Sequence, residues 1–559
     1  MKRISILSIC VLFAFLASVQ SLFAQSKAQQ IDQYLTKATK EGFSGVALVA
    51  HKGKIIFTKG YGLANREKGI AFDKNSVFDI GSITKQFTGA AILKLEMEGK
   101  LKTTDLLSKY ITDLPQDKQK ITLHHLLTHS AGLPGGIGPD EELISKKDYL
   151  KRVYQKKTRK SFGSNSYSNV GYSLLAIVVE KASGMSYEEY LNKKIFQPAG
   201  MTQTGYVLPK WKEKNIVIAY KDNRRWGATH QKSQYHKGVT YHLRGNGGIM
   251  STVLDMHKWY VAIQNNTILS KTATQKYISK QIQEGSSGRF HYGYGWSIEK
   301  KPGREIVWHN GGNGFFNDYM GFYPEKDLML MVACNFGRDS DGYAHKIDEI
   351  MHGEFKSLDE SIANQYAGTY QLPSGQKFTV SINANNQLVV PINYAQLYTT
   401  FSGTPKDDPK IAKGYNQKIQ EMMNTLLTKD YAGFAKIERR YISGMTEAEI
   451  ERQIKSGFEN MLQMMGKLKS VKVLGSVARR EGKYYLTATK LVFEKGNSYF
   501  FNFWKGNTLI DFSRSSEGEM TKRFNHKKGK TFFANSNQLS IRLTTKDGVP
   551  ALKVGDRLV

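Results

Sequence analysis

Apolar side chains between residues 78 and 99 recur at the spacing that places them on one face of a helix. These positions are Ile83, Phe87, Ala90, Ala91 and Leu95. The pattern predicts a helix that begins near Ser82 and ends at Gly99, a residue type that commonly caps helix C-termini. Lys85 follows Ser82 by one turn, so a hydroxyl and an amine share one side of the helix. A partly buried lysine with a lowered pKa can help to activate a serine nucleophile, whereas a surface helix carrying both residues by chance is the alternative.

Alternating apolar and polar positions predict two groups of β-strands. Residues 45–50 and 54–60 flank a short turn and are typical of a hairpin. Later runs of the same kind predict successive antiparallel strands of one sheet, at residues 292–298, 305–308, 315–323 and 328–335. The segments between the two groups are mainly helical in pattern, so this part of the chain is expected to combine helices with an antiparallel sheet.

Two further short motifs stand where they can reach a pocket. Tyr167 and Asn169 follow a loop and precede a predicted helix, a position from which a side chain can project into a cleft. His309 ends a predicted strand beside Gly311 and Gly312. Glycines there allow a substrate backbone to approach closely and leave the Gly312 N–H free to donate a hydrogen bond.

Two other patterns are given a structural interpretation. His125 and His129 are four residues apart on a predicted helix, as a metal pair would be. No glutamate follows His125 in the zinc-protease pattern and no third ligand is identifiable, so packing or polar contacts are the better interpretation. Residues 245–259 combine a glycine-rich turn with a helix capped near Ser251 or Thr252, but they lack the spacing of a phosphate-binding loop and are interpreted as architectural. We therefore predict neither a metal nor a cofactor.

The first residues predict export. Lys2 and Arg3 precede an apolar run at residues 4–23. A transmembrane anchor is the alternative, but the uninterrupted apolar core is short for a span and Leu22-Phe23-Ala24 is typical of a processing site, so a cleaved signal peptide at residues 1–24 is favoured. The expected location is the periplasm or the cell exterior, with no stable membrane span after cleavage. The mature chain then keeps a single cysteine, Cys334, so an intramolecular disulfide is not expected.

Composition narrows the class of partner. The 559 residues carry a formal net charge of +31, which could indicate nucleic-acid binding. The lysines are spread along the chain without a nucleic-acid motif, so we predict no nucleic-acid partner. A solvated basic surface and attraction to anionic envelope polymers both remain open. The length and the 40% hydrophobic content provide for more than one domain.

Ser-x-x-Lys, Tyr-x-Asn and His-x-Gly occur in this order, and further landmarks surround them. The stretches are GSITKQFT around Ser82, LLTHSAGLP at residues 126–134, YSNVGY at 167–172, GGIMST at 247–252, YGYGW at 292–296 and HNGG at 309–312. With these stretches, residues 31–335 resemble the class C β-lactamase-like serine hydrolases. This group includes penicillin-binding esterases, D-stereospecific peptidases and β-lactamases.

The resemblance implies a helical region packed on an antiparallel sheet, with the active site between them. It would make Ser82 the acylated nucleophile. Lys85 and Tyr167 would share proton transfer, with the phenol acting as base for Ser82 and later for the deacylating water. Asn169 would hold the amide or carbonyl group of the substrate, and the backbone N–H groups of Ser82 and Gly312 would form the oxyanion hole.

The chain departs from this family pattern at His309. In β-lactamases of the family a lysine usually stands at this position, and its charge helps to orient the carboxylate of the antibiotic. Histidine carries little charge at neutral pH unless its pKa is raised. The variant resembles the esterase and D-aminopeptidase branches, so we expect an exported serine hydrolase that cleaves esters or D-amino-acyl amides of small molecules or peptides, such as cell-wall fragments. A weak β-lactamase or penicillin-binding D,D-peptidase and an idle ligand-binding protein of the same fold are the alternatives. His309 could also orient Tyr167 or the strand end without touching substrate.

The fold class is predicted as multi-domain α+β, with a β-lactamase-like catalytic domain at residues 25–357. After a boundary near residues 357–361, residues 358–405 resemble the small lipocalin-like β-domain that often follows such hydrolases, and residues 525–559 could complete it. Helices followed by long strands at residues 406–524 resemble the cone-shaped α+β fold of the ketosteroid isomerase and nuclear transport factor type. We expect this module to be inserted into the small β-domain, and its sequence leaves open whether it holds a small ligand or a partner.

Overall fold

The computed structural model divides into two compact units, Met1–Phe355 and Lys356–Val559. It describes residues 26–158, 162–221, 224–232, 235, 239–336, 340–354, 367–371, 377–384, 387–393, 398, 402, 408–442, 445–479, 483–516, 521–528, 531–534, 539–546, 549–554 and 557–558. The expected signal peptide and the predicted boundary at residues 357–361 lie outside these residues. Among the helices formed by the described residues, none combines the length and the apolar character needed to cross a membrane.

Most strands of the first unit belong to one antiparallel sheet. The strands are β1 (Gly45–His51), β2 (Lys54–Tyr61), β3 (Leu63–Asn65), β4 (Ile70–Ala71), β5 (Phe78–Asp79), β6 (Ala219–Lys221), β7 (Arg224–Gly227), β8 (Met250–Ser251), β9 (Ile282–Glu284), β10 (Phe290–Tyr292), β11 (Ser297–Lys301), β12 (Arg304–Gly312), β13 (Asn317–Tyr323) and β14 (Leu328–Cys334). Eight of them form the main sheet in the order β2-β1-β14-β13-β12-β11-β10-β9. This order confirms the predicted β1–β2 hairpin and the predicted antiparallel neighbours at residues 305–308, 315–323 and 328–335. The single strand predicted at residues 292–298 is wrong, because residues 293–296 form the turn between β10 and β11.

Helices precede and follow the strands of this sheet along the chain. They are α1 (26–40), α2 (Thr84–Met97), α3 (Leu123–Leu127), α4 (Lys146–Gln155), α5 (Asn169–Ser183), α6 (Tyr187–Leu191), α7 (Val253–Gln264), α8 (Lys271–Ile278) and α9 (Ser340–His352). Short 3₁₀ turns cover Gly81–Ile83, Leu107–Lys109, Gln116–Lys118, Glu213–Asn215 and Thr229–Gln231, and a π-helical turn covers Asn192–Phe196.

The centre of the sheet is buried on both faces. Helix α7 packs on β1 and β14, and α9 packs on β13 and β14. Every residue of β14 is therefore buried, which matches its uninterrupted apolar sequence. Strand β12 is an internal strand of this sheet, and it contacts the 3₁₀ turn Gly81–Ile83 that precedes α2.

Helix α2 lies in the core of the unit. The predicted helix end is confirmed, because Gly99 follows α2 in the left-handed conformation with φ +70°. The predicted single apolar face understates the burial, since Lys85, Gln86 and Thr88 are also completely buried. Helices α5 and α8 pack against α2, so the polar side of the helix is enclosed as well as the apolar side.

The described residues of the second unit form two sheets. Its strands are β15 (Gly368–Gln371), β16 (Lys377–Ile382), β17 (Gln387–Pro391), β18 (Leu468–Arg479), β19 (Tyr484–Phe493), β20 (Gly496–Lys505), β21 (Thr508–Ser516), β22 (Thr521–Lys528), β23 (Thr531–Ala534), β24 (Leu539–Lys546), β25 (Val549–Val554) and β26 (Arg557–Leu558). Its main helices are α10 (Pro409–Asn424), α11 (Tyr431–Glu438) and α12 (Glu447–Met465), with a 3₁₀ turn at Thr425–Thr428.

The strand order of the second unit joins segments that are distant in sequence. One sheet has the order β15-β16-β17-β22-β23-β24-β25-β26, and the other has the order β18-β19-β20-β21. Strand β17 pairs with β22, where Leu388 lies opposite Phe524. The strands of the first sheet therefore come both before and after the helices and the four-stranded sheet in the sequence, which is the arrangement that an inserted module requires.

Candidate active site

Ser82 and Lys85 are in direct contact where α2 begins. Lys85 Nζ donates hydrogen bonds to Ser82 Oγ at 3.0 Å and to the backbone oxygen of Asn246 at 2.7 Å. Burial holds the pKa of Lys85 well below its usual value, and the charge of Asp140 acts in the opposite direction. A neutral amine next to the serine hydroxyl is a group that can take its proton.

The contact from Asn246 changes the interpretation of residues 245–259. Thr252 caps α7 by accepting a hydrogen bond from the backbone N–H of Asp255, as expected for a structural segment. The glycine-rich turn before it also supplies the carbonyl that holds Lys85, and the Asn246 side chain is fixed by Ser173 Oγ at 2.8 Å. The segment therefore has a second role beside the architectural one, because its turn holds an amine of the site.

Tyr167 adjoins the same two side chains. The Lys85 Nζ lies 4.8 Å from the centroid of its ring, and a hydrogen bond links its hydroxyl to Ser82. Although 40% of the residue surface is exposed, burial of the hydroxyl raises the pKa of Tyr167, and the hydrogen bond to Ser82 acts in the opposite direction. The phenol is therefore protonated at neutral pH and can donate a proton.

The end of β12 packs directly on the turn that carries Ser82. A Cβ atom on Gly311 would lie 1.9 Å from the backbone oxygen of Ile80, and one on Gly81 would lie 2.3 Å from the backbone nitrogen of Gly312. Gly81 also has a positive φ of +49°. Both glycines are needed for this approach of two backbones, which brings the amides of Ser82 and Gly312 to one side of the site.

Asp79 joins the same two segments, and no motif of the sequence pointed to it. Its carboxylate accepts hydrogen bonds from the Gly81 N–H at 2.8 Å, from Asn313 Nδ2 at 3.0 Å and from Thr229 Oγ1 at 3.1 Å. Burial raises the pKa of Asp79 to about 6, against the effect of these hydrogen bonds. Its place two residues before Gly81, in the stretch before the serine, is the signal that could have identified it.

Asn169 begins α5 beside Tyr167. Ser168 caps the helix, with its hydroxyl accepting from the Gly171 N–H at 3.2 Å. The Oδ1 atom of Asn169 is buried and has no hydrogen-bond partner among the described residues. A buried acceptor without a partner can receive an N–H group of a substrate.

His309 is enclosed and uncharged. It is 4% exposed, its Nδ1 lies 2.6 Å from the Asn310 carbonyl oxygen, and its Nε2 lies 3.0 Å from the Tyr292 hydroxyl. A carbonyl only accepts, so Nδ1 carries the proton and Nε2 accepts from Tyr292. Burial lowers the pKa of His309 to about 3, so the ring is neutral across the physiological range.

His125 and His129 have separate structural roles. The predicted common helix is wrong, because α3 ends before His129, which has a positive φ of +57°. The Nδ1 atom of His125 accepts from the Thr122 N–H at 3.2 Å, whereas Nδ1 of His129 accepts from the Ser168 N–H at 3.1 Å. The centroids of the His129 and Tyr167 rings are 4.3 Å apart, so the two rings pack against each other. The described residues contain no cluster of side chains suited to a metal ion.

Several known proteins are similar to this chain in sequence. The family model described as Beta-lactamase matches residues 26–351. Penicillin-binding protein 4* of Bacillus subtilis (strain 168) is 26% identical over 409 residues, which cover 64% of this chain and 85% of that protein. PbpX of the same strain, also named for penicillin binding, is 33% identical over 277 residues, covering 50% of this chain and 67% of that protein.

A solved structure gives the same answer for the fold. The octameric penicillin-binding protein homologue from Pyrococcus abyssi covers 87% of this chain with a TM-score of 0.54 and 22% identity, and 99% of that chain is matched. The α+β architecture of helices and antiparallel sheets is thus shared with these proteins. Since the family model spans more than half of the sequence, the chain belongs to the beta-lactamase family of serine hydrolases.

Proposed function

We propose that the protein cleaves ester or D-amino-acyl amide bonds through an acyl-enzyme on Ser82. The observation that carries the proposal is the 3.0 Å contact between Ser82 Oγ and the fully buried amine of Lys85. A serine hydroxyl becomes a strong nucleophile only when a neighbouring base takes its proton. The lowered pKa of Lys85 supplies that base at neutral pH.

Acylation then proceeds with a defined route for each proton. Ser82 Oγ attacks the carbonyl carbon while the Lys85 amine accepts the hydroxyl proton. The Ser82 and Gly312 N–H groups stabilise the oxyanion, a contribution whose loss costs about a hundredfold or more in rate. The bond to the leaving group breaks, and the leaving oxygen or nitrogen takes a proton from Tyr167, which leaves a phenolate beside the protonated Lys85. In the second half-reaction water attacks the acyl carbon and loses its proton to the Tyr167 phenolate, the bond to Ser82 Oγ breaks, and Lys85 returns the proton to Oγ.

Lys85 and Tyr167 have different roles in proton transfer, which the family resemblance alone does not distinguish. In the free enzyme the direction of each pKa shift favours Lys85 as the acceptor and Tyr167 as the donor. The phenol becomes the base only after it has given up its proton to a leaving group. The roles of the two residues therefore alternate between acylation and deacylation.

The neutral state of His309 supports the choice of substrate. A buried, uncharged imidazole with both nitrogens bonded offers no cation to an antibiotic carboxylate. The unpartnered Oδ1 of Asn169 suits the N–H of an amide substrate. We assign His309 to holding the end of β12 through Tyr292, with Gly311 and Gly312 facing the substrate. Acylation by penicillin is the second candidate, favoured by the names of the relatives.

The test uses covalent probes on the full chain. A fluorescent fluorophosphonate should label wild type at Ser82, Ser82→Ala should remain unlabelled, and Ser279→Ala, which removes an exposed serine, should label normally. Tyr167→Phe should cleave alkyl esters and amides, whose leaving groups need a proton, about a hundredfold or more slowly, a typical loss for a general acid. The control is Tyr190→Phe, which removes a buried hydroxyl without a hydrogen-bond partner in the described residues.

A fluorescent penicillin distinguishes the two candidates. Ester turnover with weak penicillin labelling supports the main proposal, and rapid labelling without ester turnover supports a penicillin-binding peptidase. No labelling of Ser82 by either probe would contradict both and leave a ligand-binding protein with this fold.

The domain organisation and the location complete the proposal. We assign catalysis to residues 25–357 and treat residues 406–524 as a module inserted between residues 358–405 and 525–559, which the shared sheet supports. Export follows from the leader pattern at residues 1–24, and cell-wall fragments are then natural substrates. N-terminal sequencing of the protein secreted by its host tests the cleavage site.

A further inference from the structure

A cleft of about 630 Å³ lies inside the second unit, between the helices and the four-stranded sheet. Its walls come from α10, α11 and α12 on one side and from β20 and β21 on the other. We call it the methionine cleft, after Met422, Met423, Met445 and Met461, which line it. Methionine side chains are flexible and polarisable, and they adapt to apolar ligands of different shapes. The volume falls in the range of small-molecule sites.

Two polar groups in this apolar lining have no partner among the described residues. Asn502 is 2% exposed, and its Nδ2 donates no hydrogen bond. Phe500, two residues earlier on the same face of β20, also lines the cleft, so both side chains point from the sheet toward the helices. A buried amide that has lost its water contacts without gaining a partner is unfavourable unless a ligand accepts from it.

Glu438 is the second such group. No hydrogen bond or ion pair within the described part of the chain engages its carboxylate, and it is the only titratable residue of the lining. Burial raises the pKa of Glu438 to about 7. The cleft thus combines an apolar body with one amide donor and one carboxyl group, which is a common composition of ligand sites.

The mouth of the cleft is open at α12. Gly457 lies in the exposed middle of this helix and lines the cleft, and a Cβ added there would meet no heavy atom within 4 Å. Glycine weakens the interior of a helix relative to alanine. Ile510, 49% exposed on β21, lines the same space. Gly457 and Ile510 are thus exposed members of the lining.

We propose that the methionine cleft binds an amphipathic small molecule. Its apolar body lies against the methionines and Phe500, an oxygen of its polar end accepts a hydrogen bond from Asn502 Nδ2, and a hydroxyl or amine donates to Glu438. The concave shape and the buried donor favour a small molecule over a protein partner, whose interface would be broad. The site is separate from Ser82 and does not depend on hydrolysis.

The experiment measures binding of prodan, a fluorescent naphthalene with one ketone oxygen, to the full chain. Saturable binding with a blue-shifted emission is expected. Gly457→Leu should place a side chain in the mouth and weaken binding about tenfold or more. Gly414→Leu is the matched control, because this helical glycine of α10 also has no heavy atom within 4 Å of a Cβ and does not line the cleft.

Two further variants keep the test decisive if Gly457→Leu folds poorly. Asn502→Leu removes the proposed donor and should weaken prodan about fivefold, the effect of one neutral hydrogen bond. Ile510→Lys places a charge at the mouth and should weaken binding, whereas Ile411→Lys, at an exposed isoleucine outside the cleft, should not. Circular dichroism verifies the fold of each variant.

Three results would overturn the proposal. They are the absence of saturable prodan binding, equal affinities for Gly457→Leu and Gly414→Leu in folded proteins, and sedimentation of wild type as a dimer that Ile510→Lys converts to a monomer. The last result would identify the cleft as a contact between two copies of the chain.

Discussion

Replacement of Gly311 by alanine should greatly reduce activity although it removes no catalytic side chain. The added Cβ would stand 1.9 Å from the Ile80 oxygen, whereas ordinary contacts begin at 3.4 Å. The end of β12 and the Ser82 turn must then separate by about 1.5 Å, which moves the Gly312 N–H away from the Ser82 N–H. The backbone conformation itself is tolerated, because Gly311 does not have a positive φ.

The expected loss follows from the size of this displacement. Shifts of about 1 Å at a reacting centre cost about a hundredfold in rate, and loss of one oxyanion donor costs about a hundredfold to a thousandfold, equivalent to ~2.7–4 kcal/mol. We therefore expect kcat/KM of Gly311→Ala to fall by about 10²–10³. Overpacking of this kind destabilises a protein by ~1–3 kcal/mol, so the melting temperature should fall by only a few degrees.

The assay compares Gly311→Ala with Gly414→Ala in the full chain. A Cβ on Gly414, in α10 and outside the site, meets no heavy atom within 4 Å, so this variant should retain activity within about threefold. Hydrolysis of p-nitrophenyl acetate and the rate of fluorophosphonate labelling report the site, and thermal unfolding reports the fold. Wild-type rates in Gly311→Ala with an unchanged melting temperature would show that the backbone contact does not position the oxyanion hole.

Three further predictions address the charges of the site. The free energy of unfolding of Tyr167→Phe should lie within about 1 kcal/mol of the wild-type value, because the ring still packs against His129, while kcat falls about a hundredfold. A loss of activity that is explained by a matching loss of stability would contradict a proton-transfer role. Asp140→Asn should move the acidic limb of the kcat/KM profile to lower pH, because Asp140 raises the pKa of Lys85 and the reaction needs the neutral amine; a shift to higher pH would refute the assignment of Lys85 as base. The pKa of Asp79 rises from 3.8 to about 6 on folding, so between these pH values the native state holds a proton that the unfolded state has lost, and the contribution of Asp79 to stability falls as pH rises. The difference in melting temperature, Asp79→Asn minus wild type, should therefore increase from pH 4 to about pH 6 and then level off. A difference that does not change with pH would show that folding does not raise the pKa of the Asp79 carboxyl.

The sequence determined the local elements and the order of the chemistry. Helical spacing and Gly99 identified α2, and alternation identified the β1–β2 hairpin and the later strands of the main sheet. These signals are local, because helix and strand periods are set by residues a few positions apart. Three motifs in a fixed order then indicated the family, since each motif gained meaning from the others.

The tertiary structure decided the protonation states and the supporting contacts. Lys85 donates a hydrogen bond to the backbone oxygen of Asn246, 161 residues away in the sequence, and Asp79 accepts one from the side chain of Asn313, 234 residues away. No local pattern could predict either contact. The lowered pKa of Lys85 and the neutral state of His309 arise from burial, which depends on every element packed around them. Folding also decided the contacts of His129, for which packing was preferred over a metal pair: its backbone is left-handed after α3, and its ring packs against that of Tyr167. Sequence thus determined which residues are available for the reaction, and folding decided their charges, because desolvation is a property of the assembled core.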